Sequence, residues 1–253
     1  CEIPQNYIEK CCNLLKETDA DIVGGVIETI SFGLIGNAIS IAQSSWFGVG
    51  GVKFRSNNLE KPDYVDTLAF GAHKREIFKD IGGYDEEMVC NQDDEFNFRA
   101  IQAGKKIWID PTIKTKYFAR SSYLKLFKQY FNYGFYKVRG IQKRGQIFSI
   151  RHIIPSIFIV SLIITLIIGF FLQLPLVAFS VVFLYLVFNL SASIYSASSI
   201  RVFPLISLAF WTLHLGYGLG FIWGLIRFFN KWNDTELKDF NFNREQFCAN
   251  NPK

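Results

Sequence analysis

Asn91-Gln92-Asp93-Asp94-Glu95-Phe96-Asn97-Phe98-Arg99 sets three consecutive carboxylates at the head of a segment with helical periodicity. Phe96, Ala100 and Ala103 fall on one helical face, and Gly104 suits the helix end. The turn-like Gly82-Gly83-Tyr84-Asp85-Glu86 precedes it. Three adjacent acids repel one another unless a cation binds there or one keeps a raised pKa for proton transfer. Capping accounts for part of the pattern: Asn91 fits an N-cap, and first-turn carboxylates gain about 0.3–1 kcal/mol from the helix dipole. That explains one acid well and three poorly.

Working outward, the surrounding segments alternate between helix and strand. Tyr7, Cys11, Leu14 and Leu15 recur at helical spacing, which predicts an amphipathic helix over Pro4 to Lys16 started by Pro4. Ala20 to Val26 predicts a buried strand ending at Gly24-Gly25, and Phe32 to Ser45 a second helix. Gly48 to Asn58 is a Gly-rich basic loop without a phosphate-binding pattern. Asp66 to Gly71 predicts a short strand, Lys74 to Asp80 a helical turn, and Lys106 to Ile109 a strand stopped by Asp110-Pro111. This order predicts an α/β layer architecture.

The chain then changes character. Residues 1 to 152 hold 21 basic and 18 acidic side chains, whereas Arg201 is the only charge from Ile153 to Ile226. Ile153–Leu172, Leu174–Ile194 and Val202–Ile226 are each uncharged and long enough to cross a hydrocarbon core of roughly 30 Å. Three buried helices of a soluble protein are the weaker reading at these lengths. Gln173 and Pro175 predict a tight hairpin between the first two runs. Between Lys114 and Arg151 lie ten Lys/Arg and no acid, interleaved with aromatics from Tyr117 to Phe148. Such a belt suits nucleic acid or a headgroup layer; directly before a membrane hairpin the second reading is preferred, so no nucleic-acid partner is expected. The basic cluster beside the first run places the polar part in the cytoplasm. Alternation then puts Arg201 in the cytoplasm and the tail outside, although Arg227 and Lys231 argue against that last step. Asn189, Ser191 and Ser193 are expected to bond between helices, and His214 with Tyr217 to face a lipid headgroup. His73 is as readily an ordinary surface residue as part of a site. The five cysteines, Cys1, Cys11, Cys12, Cys90 and Cys248, show neither metal spacing nor a disulfide framework, and the first four read as reduced cytosolic thiols.

The acidic run resembles the acceptor-side motif of family 2 inverting glycosyltransferases, in the membrane-bound branch typified by succinoglycan-type exopolysaccharide glucosyltransferases. Further segments match in order. Asp66 to Ala72 is similar to the acceptor floor, Phe78 to Asp85 to the lead-in, and Arg120-Ser121-Ser122 with Gln129 to Gly134 to the interfacial helix. His214 to Gly220 resembles the last membrane helix. The resemblance implies the C-terminal part of a GT-A fold followed by an all-α transmembrane region. It divides the chain into an acceptor-side catalytic part (1–113), interfacial helices (114–151), three transmembrane helices (152–228) and a polar tail (229–253). It implies that Asp93 is the general base, with Asp94, Glu95, Gly71, Ala72 and Arg99 binding acceptor or supporting the base. Gln129, Asn132, Tyr133 and Arg120 would serve the diphosphate or the interfacial motif.

Two departures from the family pattern matter. Asn132 and Tyr133 stand where processive synthases carry Arg and Trp, which favours addition of a single sugar. The Asp-x-Asp segment through which family members hold Mg²⁺ or Mn²⁺ and the nucleotide-sugar is not found in its usual context. Asp19-Ala20-Asp21 reads as a solvated turn, so no metal ligand is assigned in this chain. The opening residues resemble sequence just downstream of that segment, and the expectation is a fragment lacking the nucleotide-binding half. The implied partners are a nucleotide-sugar, UDP-hexose by expectation, and a lipid-linked saccharide at the bacterial inner membrane. A non-catalytic scaffold for a separate transferase, or a small transporter component, are the rival readings.

Overall fold

The computed structural model describes residues 1–55, 59–147 and 149–235. The expectations for Ser56–Asn58, Phe148, Cys248 and the tail beyond Thr235 lie outside the described residues. Helix α1 (Tyr7–Glu17) buries Tyr7 and Cys11 against Ala20, Val23 and Ile113. It begins three residues after Pro4, whose carbonyl accepts from Tyr7 N at 3.0 Å. Strand β1 (Ile22–Ile30) is the spine of the sheet. It does not stop at its glycines. A Cβ on Gly25 would lie 1.8 Å from the Ile113 carbonyl oxygen, so the glycine admits the neighbouring strand.

Helix α2 (Gly33–Ser44) and the single turn α3 (Trp46–Val49) follow, then the two-residue strands β2 (Asp63–Tyr64) and β3 (Ala72–His73). Residues 66–71 are a loop, contrary to the expected strand. Its backbone is tied instead to side chains: Asn97 donates to Leu68 O at 2.7 Å, and the Tyr7 hydroxyl donates to Phe70 O. Helix α4 (Ile77–Ile81) leads to α5 (Gln92–Gln102), which carries the acidic run. Phe96 and Ala100 of α5 pack on Ile22, Leu68, Ile77, Ile107 and Ile109, while Ala103 is exposed at the C-cap. Gly104, at φ +75°, ends the helix in the left-handed conformation.

Strand β4 (Ile107–Phe118) runs well past Asp110-Pro111. Its pairing with β1 shifts register there, from Gly25–Asp110 to Val26–Lys114. The Asp110 carboxylate accepts from Thr112 N at 2.7 Å, and Pro111, which has no N–H to offer, sits in this bulge. The sheet order is β2-β4-β1-β3, with β1 and β4 parallel and the two short strands antiparallel.

Helix α6 (Tyr123–Arg144) is capped by Ser122, whose hydroxyl accepts from Lys125 N at 3.3 Å. Three apolar helices end the described chain: α7 (Ile154–Phe171), α8 (Pro175–Ser196) and α9 (Phe203–Arg227). Each is long and apolar enough to cross a membrane. α7 and α8 form the expected hairpin, with Gly169 packed so closely on Ala178 that a Cβ would lie 2.5 Å away. Gln173 takes a left-handed turn at φ +55°. α9 differs from these two, because α2 and α6 cover much of it. The expected interhelical bond is present, with Ser207 Oγ donating to Asn189 Oδ1 at 2.6 Å. His214 does not face outward. Its ring sits between Tyr185 Oη at 2.8 Å and the Phe47 carbonyl at 3.0 Å.

Candidate active site

Asn91 opens α5 at φ +64°, in the cap position but without a side-chain cap. Its amide donates instead to Tyr133 O of α6 at 3.0 Å, and the Cys90 thiol lies 3.4 Å from Asn132 O. Two bonds therefore clamp the acidic run to the middle of α6. Asp93 and Asp94 then diverge. The Asp94 carboxylate pairs with Lys137, which is nearly buried, and bonds the Thr67 hydroxyl. Burial alone would raise the Asp94 pKa, but Lys137, through its charge and hydrogen bond, together with His152 and the Thr67 hydroxyl, outweighs it and holds the group at about 2.

Asp93 accepts from Asp94 N at 2.9 Å and forms no ion pair among the described residues. Burial first, and the Asp94 charge second, push its carboxyl above the ordinary carboxylate range. The two neighbouring acids are thus separated in proton affinity: one is neutralised by a lysine, the other poised to take a proton.

Glu95 and Arg99 occupy the opposite side of α5. Glu95 is fully buried, 2.7 Å from Arg99 and 2.5 Å from Arg144. Arg99 also donates to the carbonyls of Gly83, at 2.6 Å, and Ile81, fixing the turn before the acidic run. These two residues hold the scaffold of the site and do not line its surface. Gly71 and Ala72 lie at the β3 edge, where Ala72 pairs with Val23 and Gly71 packs on Ile22. Gln129, Tyr133 and Arg120 come together: Gln129 Nε2 donates to Tyr117 Oη at 2.8 Å and Tyr133 Oη at 2.7 Å, and its carbonyl accepts from Arg120 at 3.3 Å. Asn132 is not brought into this cluster by its side chain; its backbone carbonyl accepts from the Cys90 thiol beside the acidic run.

His73 is half-buried. It packs among the rings of Phe78, Tyr84 and Phe96, and burial lowers its pKa to about 4. Lys137 and Thr67 are the site residues that sequence reasoning passed over. Part of the signal was visible, since an acid-rich stretch (residues 85–95) is followed by a cation-rich one (137–144). Four cations of the expected headgroup belt are spent inside the protein: Lys137 on Asp94, Arg139 on Glu87 at 2.9 Å, Lys143 on Asp85 at 2.6 Å, and Arg144 on Glu95.

Among the described residues no cluster of three His, Cys, Asp or Glu is placed to hold a metal ion. Asp19 is bonded to Lys106 and Tyr64, and Asp21 accepts from Lys106 N at 3.0 Å. The described residues do not form the divalent-cation site that the resemblance implies.

Two known proteins match the chain that carries this site. Over 152 residues it is 30% identical to the succinoglycan biosynthesis protein ExoA of Rhizobium meliloti (strain 1021), covering 60% of this chain and 46% of the relative. Over 206 residues it is 27% identical to the dolichyl N-acetyl-alpha-D-glucosaminyl phosphate 3-beta-D-2,3-diacetamido-2,3-dideoxy-beta-D-glucuronosyltransferase of Methanococcus voltae, covering 81% of this chain. The chain is related to the family 2 glycosyltransferases. No family model matches it. The matches span 46% and 60% of the relatives' own lengths, so this transferase-related chain corresponds to about half of each. Its mixed α/β domain followed by apolar helices has the layout of a GT-A domain joined to a membrane region.

Proposed function

We propose that this chain provides the acceptor side and the general base of an inverting hexosyltransferase at the cytoplasmic face of a bacterial plasma membrane. Asp93 takes the proton from an acceptor hydroxyl as that oxygen attacks the anomeric carbon, and the nucleotide diphosphate leaves from the opposite face. The acceptor is a lipid-linked saccharide, the donor a nucleotide-sugar such as a UDP-hexose, and one sugar is added per encounter. The observation that carries the reading is the division of labour between adjacent acids, with Asp94 neutralised by Lys137 and Asp93 left unpaired at raised proton affinity. Gln129, held by Tyr117 and by Tyr133, whose carbonyl is bonded by Asn91 at the head of α5, supports a role near the diphosphate or acceptor. A carboxylate with no partner but a backbone N–H is costly to keep beside another acid unless proton transfer requires it.

The test is release of nucleotide diphosphate from a panel of nucleotide-sugars, using membranes that contain the full-length protein and a lipid extract as acceptor. Asp93→Asn is expected to lower sugar-dependent release by about 10²–10⁴-fold, the range for losing a general base. Equal release from wild type and variant would remove Asp93 from the chemistry. Absence of release from both would bring forward the reading of a scaffold for a separate transferase.

A further inference from the structure

The third apolar helix is tied to the polar domain at both ends. Near its start, Tyr123 at the head of α6 donates to Leu205 O at 3.0 Å. Just past its end, Lys231 lies 2.7 Å from Glu87, and the fully buried Arg139 donates to Lys231 O at 3.2 Å and pairs with Asp234 at 2.6 Å. Between these points α6 runs alongside in the same direction. Gly216, Gly220 and Gly224 meet the carbonyls of Phe127, Phe131 and Phe135 in step, and a Cβ on Gly220 would lie 2.0 Å from Phe131 O. α6 itself belongs to the polar domain: it follows β4 directly, and its last turns carry Lys137, Arg139, Lys143 and Arg144 onto the acids of residues 85–95.

α9 is long enough to cross a core of roughly 30 Å. A crossing α9 would, however, drag α6 through the hydrocarbon with it. The buried charges of Arg139 and Lys143 and their acid partners would then emerge on the far side. The geometry excludes that separation. Arg151, in the short turn (Ile150–His152) that leads into α7, lies 3.3 Å from Asp66, and the adjacent Thr67 bonds Asp94, the partner of Lys137 on α6. The start of α7 and the end of α9 therefore meet the same small domain on the same side.

We propose that only α7 and α8 cross the bilayer, as a hairpin, and that α9 lies in the plane of the membrane surface beside α6. The face of α9 turned away from the protein carries Leu208, Leu219, Trp223 and Ile226, all exposed, apolar and on one helical stripe. α2 extends that surface, with Phe32, Leu34 and Ile35 exposed at its start and no charge from Thr29 to Val52. An uncharged stripe on a helix whose other side is protein suits the boundary between headgroups and acyl chains. The lipid bilayer is the partner, and the inference does not rest on the sugar-transfer reading.

The test uses sealed membrane vesicles of both orientations containing the full chain. With Cys248 replaced by Ser, the exposed native Cys12 on α1, labelled with a membrane-impermeant maleimide, marks the side of the polar domain. One epitope is placed after the last residue and, in a second protein, another between Gln173 and Leu174. The end epitope is expected to bind antibody in the vesicles that label Cys12, and the hairpin epitope only in the opposite ones. An end epitope read on the hairpin-tip side would overturn the proposal, as would a hairpin epitope read on the Cys12 side.

Discussion

Asp93 and Asp94 are chemically equivalent in the sequence and differ only through what packs beside them. Both are partly buried near the head of α5, yet Lys137 pairs directly with Asp94 and reaches Asp93 only through its charge. The difference has a measurable consequence. The Asp94 charge raises the proton affinity of Asp93, so Asp94→Asn removes that repulsion and frees the Lys137 charge to act on Asp93. The acidic limb of the kcat/KM profile, which reports the base in the free enzyme, is expected to move to lower pH in Asp94→Asn. A limb that stays in place would show that Asp94 does not tune the proposed base. The acids themselves were legible in the sequence. Lys137 was not, because 43 residues separate it from Asp94 and its identity in the sequence is one cation among ten.

Elements were legible where their apolar periodicity is local, and misread where a neighbour overrides a local signal. α2, α5 and the hairpin helices fall within a residue or two of the expected bounds. Gly24-Gly25 and Asp110-Pro111 looked like strand ends. They are instead the two halves of one bulge, because glycine in β1 makes room for the extra residues of β4. The α6–α9 seam obeys the same logic of small residues admitting backbone. Gly220→Leu would force a side chain into the Phe131 carbonyl. Overpacking of this kind costs about 1–3 kcal/mol or more. A lower thermal midpoint in detergent is expected, together with loss of the proposed transfer activity, since the same helix holds the carbonyls of Asn132 and Tyr133 against Cys90 and Asn91 at the head of α5. An unchanged midpoint would mean that the two helices are not in contact in solution.

On the scale of the whole molecule, ion pairs join α5, α6 and the segment after α9 into one body. Arg139, together with Lys231 and Lys143, holds Glu87 well below the usual carboxylate range, and Lys137 holds Asp94 at about 2. Both shifts are downward, so their stabilisation is complete above the unfolded carboxylate pKa of about 4 and is lost as pH falls toward about 2. Thermal unfolding in detergent is expected to show a midpoint that drops steeply across that window, and Glu87→Gln to flatten the drop. A parallel acid profile in wild type and variant would argue against the network as the source. By itself the sequence determined the division into an α/β domain and an apolar helical region, the hairpin, and the identity of the acidic run. These follow from periodicity, charge and turn residues, which act over a few positions. Only the tertiary structure decided which acid is neutralised, that four of the ten cations of the basic belt are consumed in internal pairs, and that the third apolar helix has both ends at one domain. Each of these depends on contacts between residues dozens of positions apart, where burial and Coulomb attraction are set by the packing of whole elements.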